Sequence, residues 1–404
     1  MAEALKVGGR GAGRAKGGTQ PWLVGAEVAV AVVLLVGAGL LLRSLWLTQR
    51  VDPGFVAEDR LAVTLTISAS KYAERPTYMA FYREALDRFR RLPGVVEAGS
   101  IRYFPMQGKG EQAEWGVVGD EASTTEDERY AQILQVSPGL FRSLGIELRQ
   151  GRAITALDTE EAPLTVVINE RLARLAFGGE PAVGRSLRLS GTEAEVVGVV
   201  ADVKHFGLRQ EAPSVVYVSQ ERIPRRGMTF VLHTTGNPLA AVAGVRQVLA
   251  DMDPDQPISE VAMAGAILSD SVAQPRFFAA LLGVFALLAL VLASLGIYGV
   301  ISYQVGQQTR EIGIRLALGA ERGDTVRLVL RGGMVPAALG TLVGLGVALA
   351  LTRIMEALLF GVGSADLSTY AAVAAALLLV AAVACVVPAR RATRIDPVGA
   401  LRAE

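Results

Sequence analysis

The sequence predicts an integral membrane α-helical protein with four transmembrane helices and one extracytoplasmic α+β domain of mixed strands and helices. Three observations carry that prediction. Hydrophobic residues make up 51% of the 404 and charged residues only 20%. Four apolar runs each exceed the roughly 18 residues that suggest a spanning helix. One long polar block, between Val51 and Arg276, separates the first run from the other three.

The first run is Pro21 to Leu42, interrupted only by Glu27. Four basic residues (Lys6, Arg10, Arg14, Lys16) precede it, as in a signal peptide. Its apolar stretch is longer than the usual signal core of about 7–15 residues, and Arg43 follows at once, so a retained anchor over residues 21–43 is expected. The remaining spans are expected near 277–303, 332–352 and 367–388. Residues 1–20, rich in Gly, Ala, Lys and Arg, read as a flexible basic tail at the inner face.

Loop charge sets the orientation. The N-terminal tail, the Ser302–Arg331 segment and the C-terminal tail are the basic segments; the short loop between Arg353 and Asp366 is not. The positive-inside rule places both termini in the cytoplasm and the 50–270 block outside, which is permitted because long domains translocate largely regardless of charge.

Within that block, Leu61–Ser68 alternates and is rich in β-formers, so it reads as a strand. Pro76–Leu92 repeats apolar residues at helical spacing and stops at Pro93-Gly94, so it reads as a helix. Further strands are expected at Val95–Tyr103, Trp115–Val118, Leu164–Ile168, Glu195–Val203, Val215–Ser219 and Met228–Thr234. Further helices are expected at Ser137–Leu144, Asn169–Phe177 and Pro238–Met252. A break near 130–160 is expected to divide two subdomains.

Chemistry is hard to find. No GxxxxGK[ST], HExxH or GxSxG occurs, so no nucleotide loop or hydrolase motif is present and no enzyme is expected. The single cysteine, Cys385, excludes an intrachain disulfide, and with only His205 and His233 a Cys/His zinc site cannot be completed. Both histidines read as structural. The carboxylates Glu121, Glu126, Asp127 and Glu128 lack the spacing of a calcium loop and read as a solvated turn. A net charge of +1 gives no field for nucleic acid.

Three features invite a functional reading. Glu27 is an ionisable residue inside an apolar run, which suggests either anchoring near the interface or a role in coupling. Gly340 and Gly344 form a GxxxG pair that permits close helix approach, within one bundle or across a dimer. Gln308–Gly319 (QTREIGIRLALG) is a short amphipathic helix on the cytoplasmic side, with Glu311 and Arg315 an i, i+4 pair and Gly319 a stop. It fits an interfacial helix on lipid, or a docking helix for a cytoplasmic partner.

That segment also resembles a known family. TREIGIRLALGA (Thr309–Ala320), RGDTVRLVLRGG (Arg322–Gly333) and the ending VVPARRATRIDPVGALRAE (Val386–Glu404) are similar to the MacB/FtsX-type ABC transporter permeases. QVSPGLFRSLGIELRQGR (Gln135–Arg152), VVINERLARLAFGGEPAVGRSL (Val166–Leu187) and EVVGVVADVKHFGL (Glu195–Leu208) resemble that family's periplasmic core domain, and Glu27–Phe55 resembles the opening of the second half of its duplicated members. The resemblance implies an FtsX-like permease domain at 275–404 in a bacterial inner membrane. It further implies a separate cytoplasmic ABC ATPase that binds ATP in place of any cofactor on this chain, and a second permease half or a homodimer surrounded by lipid. Carried onto this chain, it implies ATPase coupling through Arg310, Glu311, Ile312, Ile314, Arg315 and Leu316. A rival reading is a membrane-anchored sensory or scaffold protein whose outer domain binds a ligand; three clustered C-terminal spans favour the permease.

Overall fold

The computed structural model describes residues 20–108, 110–118, 130–309, 311, 314, 322–354, 361, 363 and 366–393. The chain divides into two compact units: residues 49–273, and a helical unit made of residues 1–48 together with 274–404.

The helical unit holds α1 (Gln20–Thr48) and three later long helices, α7 (Ala273–Gln307), α8 (Arg322–Ile354) and α9 (Leu367–Ala392). All four are long and apolar enough to cross a membrane. They share one core. Val24, Val28, Val32, Val36 and Leu40 of α1 form a stripe at helical spacing that packs with Ala337 and Ala348 of α8 and Leu377, Ala381 and Cys385 of α9. The outward positions are just as apolar, because lipid imposes no polar face. Two buried hydroxyls of α8 are satisfied inside their own helix: Thr341 donates to Ala337 O and Thr352 to Ala348 O, each at 2.8 Å.

The 49–273 unit contains β1 (Arg60–Thr66), α2 (Arg75–Arg90), β2 (Val95–Ile101), β3 (Glu111–Val117), β4 (Tyr130–Val136), α3 (Leu140–Leu144), β5 (Leu148–Gly151), β6 (Thr165–Asn169), α4 (Glu170–Phe177), β7 (Ser186–Leu189), β8 (Thr192–Val200), β9 (Val215–Ser219), β10 (Gly227–Thr234), α5 (Ala241–Met252), β11 (Ile258–Met263) and α6 (Ala264–Asp270). Its strands form one 11-stranded sheet, but two separate cores.

The first core lies under an antiparallel sheet ordered β11-β1-β10-β2. Leu61, Val63 and Leu65 of β1 meet Tyr82, Ala85, Leu86 and Phe89 of α2 and Val245 and Leu249 of α5. Phe230 stacks edge-on with Phe89 at 5.3 Å between ring centroids. Burial of each such aromatic side chain stabilises this lobe by about 1.5–3 kcal/mol.

The second core is a closed barrel. Pairing runs β4-β3-β7-β8-β6-β9 and returns to β4 through a parallel β4–β9 ladder (Gln132↔Val215 to Val136↔Ser219). A barrel of this size is filled by side chains rather than water. Trp115, Ile133, Val166, Leu187, Val196 and Val216 fill it, and Leu172 and Phe177 of α4 join the same core. Asn169 caps α4, accepting from Leu172 N at 3.3 Å, and its side-chain amide donates to Asp202 at 2.6 Å.

The expected break near 130–160 is corrected by this topology. β4 and β5 belong to the barrel lobe, whose strands are inserted between β2 and β10, whereas α3 packs back on β2 and β10. β4 was not anticipated, because Gln132 and Gln135 interrupt its apolar pattern; both are buried in the sheet. Trp115–Val118 extends back to Glu111, and Pro238–Met252 is a short 3₁₀ turn (Pro238–Ala240) followed by α5.

Candidate functional site

In the helical unit the closest packing is between α1 and α8. A Cβ added at Gly340 would lie 2.4 Å from Gly25 O and 3.0 Å from Val28 Cβ. At Gly344 it would lie 2.7 Å from Val32 Cβ and 2.8 Å from Ala29 O. The GxxxG pair is therefore placed against the first span of the same chain, backbone to backbone. A Cβ at Gly346, two residues on, meets nothing within 4 Å among the described residues. At one end of the bundle Arg43 of α1 donates to Asp366, which also caps α9, and to Ser368.

Glu27 lies on the exposed side of α1. Its carboxylate approaches α7 at Gly296, where a Cβ would come 2.2 Å from Oε2. A larger residue at 296 would occupy the space this carboxylate now uses.

The segment joining α7 to α8 lies largely outside the described residues: Arg310, Ile312, Arg315 and Leu316 are among those not described. Glu311 and Ile314 are helical, and Ile314 is exposed at 40%. The acidic group Glu121, Glu126, Asp127 and Glu128 also lies outside the described residues, as do the 1–19 and 394–404 tails.

His205 is buried and structural. Its Nε2 lies 3.2 Å from the Tyr217 hydroxyl, and Tyr217 stacks edge-on with Phe141. Burial pushes its pKa down to about 4, so the ring is neutral at pH 7. His233 sits in β10, and burial followed by the nearby Arg60 lowers its pKa as well. Among the described residues no group of three or more His, Cys, Asp and Glu could hold a metal ion.

One constellation had no motif to announce it. At the end of the barrel formed by the C-terminal ends of β4, β7 and β9 and the N-terminal ends of β3, β6 and β8, a cleft of about 390 Å³ opens. Glu111 and Gln135 are on inward-facing positions of β3 and β4 there. Arg225 clamps Glu111, its Nε 2.9 and 3.1 Å from the two carboxylate oxygens and one terminal nitrogen 2.6 Å from Oε2. That clamp, opposed by burial, holds the carboxyl below its usual range. Spacing in sequence, 24 residues between Glu111 and Gln135, could not show this; the β3–β4 register (Glu111↔Ile133) makes them neighbours.

Four helices long and apolar enough to cross a membrane, with one large domain built as sheet lobe plus barrel, define the class, a multi-span membrane protein with one large extramembrane domain. The family follows from two matches: the MacB-like periplasmic core domain over residues 28–274 and the FtsX-like permease C-terminal domain over 283–397. The chain belongs to the MacB/FtsX-type ABC transporter permeases. It is similar to the macrolide export ATP-binding/permease protein MacB of Sodalis glossinidius, 27% identical over 317 residues, covering 71% of this chain and 47% of that protein. It is also similar to the uncharacterized ABC transporter permease YknZ of Bacillus subtilis, 23% identical, covering 69% of this chain and 72% of that one. The periplasmic region of MacB from Actinobacillus actinomycetemcomitans aligns with a TM-score of 0.37 at 13% identity, over 54% of this chain and 94% of that one. This chain spans less than half the length of the export proteins named MacB and PvdT that it matches.

Proposed function

We propose that this chain is the permease subunit that couples ATP hydrolysis by a cytoplasmic ABC ATPase, lying outside these 404 residues, to movement of the outer domain. The work done is export or mechanical transmission across the membrane. The observation that carries this reading is the family match over 283–397, which includes the polar segment between α7 and α8. Amphipathic, bounded by two spans and flanked by basic residues, that segment suits docking on a cytoplasmic surface. Both termini are cytoplasmic in this reading, and two copies, or this chain and a homologous half, pair through α1 and α7. The names of relatives point to export. The chain itself hydrolyses no ATP in this reading, because it holds no phosphate-cradling loop.

The test is a pull-down of the ATPase by the full-length chain. Ile312 and Leu316 share one face of the proposed docking helix and would act as its apolar anchors, with Arg310, Glu311, Ile314 and Arg315 around them. Ile312→Asp together with Leu316→Asp is expected to abolish association while membrane insertion and protease protection of the outer domain persist. Arg315→Ala should weaken it less, since an exposed pair contributes only about 0.2–1 kcal/mol. Undiminished capture by the double variant would refute docking through this helix and favour a segment lying on lipid.

A further inference from the structure

The barrel explains most of its own residues as filling, but its open end does not. Opposite α4, the side chains of the described residues do not close the interior: the cleft reaches down to Ala113, Ile133, Leu189 and Val218, all inward-facing. Its volume falls in the range of small-molecule sites, roughly 300–1,000 Å³, and mouths of barrels are a recurrent place for them.

One buried polar group at this mouth is left over. Gln135 is fully buried. Its amide nitrogen faces the Glu111 carboxylate at 3.4 Å, which an amide oxygen would not do, so the orientation of the amide is set. The amide oxygen that remains has no donor among the described residues. Buried carbonyl oxygens are ordinarily satisfied, by protein, water or ligand. The charge of Glu111 is already met by Arg225, so the mouth does not call for a cation. What it lacks is a neutral donor, above an apolar floor.

We propose that the open end of the barrel binds a small, neutral amphipathic molecule, its apolar body on Ala113, Ile133, Leu189 and Val218 and an N–H or O–H group donating to the Gln135 side-chain oxygen. The site is independent of the ATPase-coupling reading: loss of ATPase association would leave it intact, and loss of the site would leave association intact.

A suitable probe is 4-(trifluoromethyl)benzamide, which carries an apolar ring, an amide N–H donor and a fluorine reporter. Ligand-observed ¹⁹F relaxation would be measured with the full-length chain in lipid nanodiscs, with empty nanodiscs subtracted. At about 0.3 kcal/mol per heavy atom, a molecule this small binds with a dissociation constant on the order of millimolar. Saturable binding is expected for the wild type. Gln135→Leu should weaken it about tenfold, the worth of one hydrogen bond. Thr192→Trp, at an exposed position on the rim, should abolish it by filling the cleft. The analogue 4-(trifluoromethyl)toluene, which has no donor, should bind the wild type no better than the amide binds Gln135→Leu. Trypsin protection of the outer domain serves as the folding control. The proposal is overturned if the wild type shows no saturable binding, which would leave a solvent-filled mouth, or if Thr192→Trp binds as the wild type does. If Gln135→Leu does not fold, the two probes on the wild type decide: equal affinity for amide and toluene overturns the donor contact.

Discussion

Replacing Gly340 with alanine tests the packing of α1 on α8 by the addition of one methyl group. The new Cβ would sit 2.4 Å from Gly25 O, about 1 Å inside ordinary contact. The opposing atom is backbone, so no rotamer change relieves the clash, and α1 must retreat. A gap of 0.5–1 Å forfeits about a quarter to a half of the dispersion energy of each atom pair it opens, and each pair contributes about 0.1–0.2 kcal/mol. With some tens of pairs along the seam the loss reaches about 1–3 kcal/mol, the usual range for overpacking. Alanine is the better helix former by up to about 1 kcal/mol, which acts against this loss. The net expectation is a destabilisation of about 1–2 kcal/mol. Gly346→Ala provides the control: same helix, same chemistry, nothing within 4 Å among the described residues, so it should be neutral or slightly stabilising. Equilibrium unfolding of the full chain in mixed micelles would compare the two. Indistinguishable midpoints for Gly340→Ala and Gly346→Ala would refute the α1–α8 contact and return the GxxxG pair to lipid or to a second copy.

Three further outcomes follow from individual sites. Gly296→Ala meets only the far end of the flexible Glu27 side chain, so its unfolding midpoint should stay within about 0.5 kcal/mol of wild type; a loss as large as that of Gly340→Ala would show that the carboxylate is pinned. His205 has its folded pKa depressed by burial from 6.5 to about 4, so the unfolded chain takes up a proton before the folded one does. The outer domain should therefore lose stability as pH falls from about 6.5 to about 4, by about 3 kcal/mol in all, and urea midpoints of His205→Gln should lack that slope; parallel pH profiles would contradict the assignment. Asp158 accepts from Arg152 through two nitrogens at 2.8 Å each and from Thr155 and Thr165, and these bonds outweigh burial to hold its pKa at about 2. Asp158→Asn should cost the outer domain about 2 kcal/mol by thermal unfolding, because the buried side chain keeps one acceptor oxygen and turns an amide donor toward the Arg152, Thr155 and Thr165 donors; an unchanged melting temperature would exclude it as a structural clamp.

The sequence by itself determined the membrane plan. Each span is a long apolar run, broken only by Glu27 in the first, a local signal that needs no partner to be read, and the helix at Pro76–Leu92 was legible for the same reason: its apolar period is complete within 16 residues. The separation of the polar block from the spans, and the family resemblance of the 309–333 segment, were equally local. What the tertiary structure decided is whatever depends on register between distant strands. β4 carries two glutamines that break its pattern, and only its pairing with β3 and β9 makes it a strand and closes the barrel. The two lobes of the outer domain interleave along the chain, so no composition shift near 130–160 could mark them. Gly340 and Gly344 advertised a close contact, but which helix they meet depends on Gly25, Ala29 and Val32, some 300 residues away. The cleft at the barrel mouth was illegible for the same physical reason. Its polar atoms become neighbours through sheet register, and an unsatisfied carbonyl is a property of the folded surroundings rather than of glutamine itself.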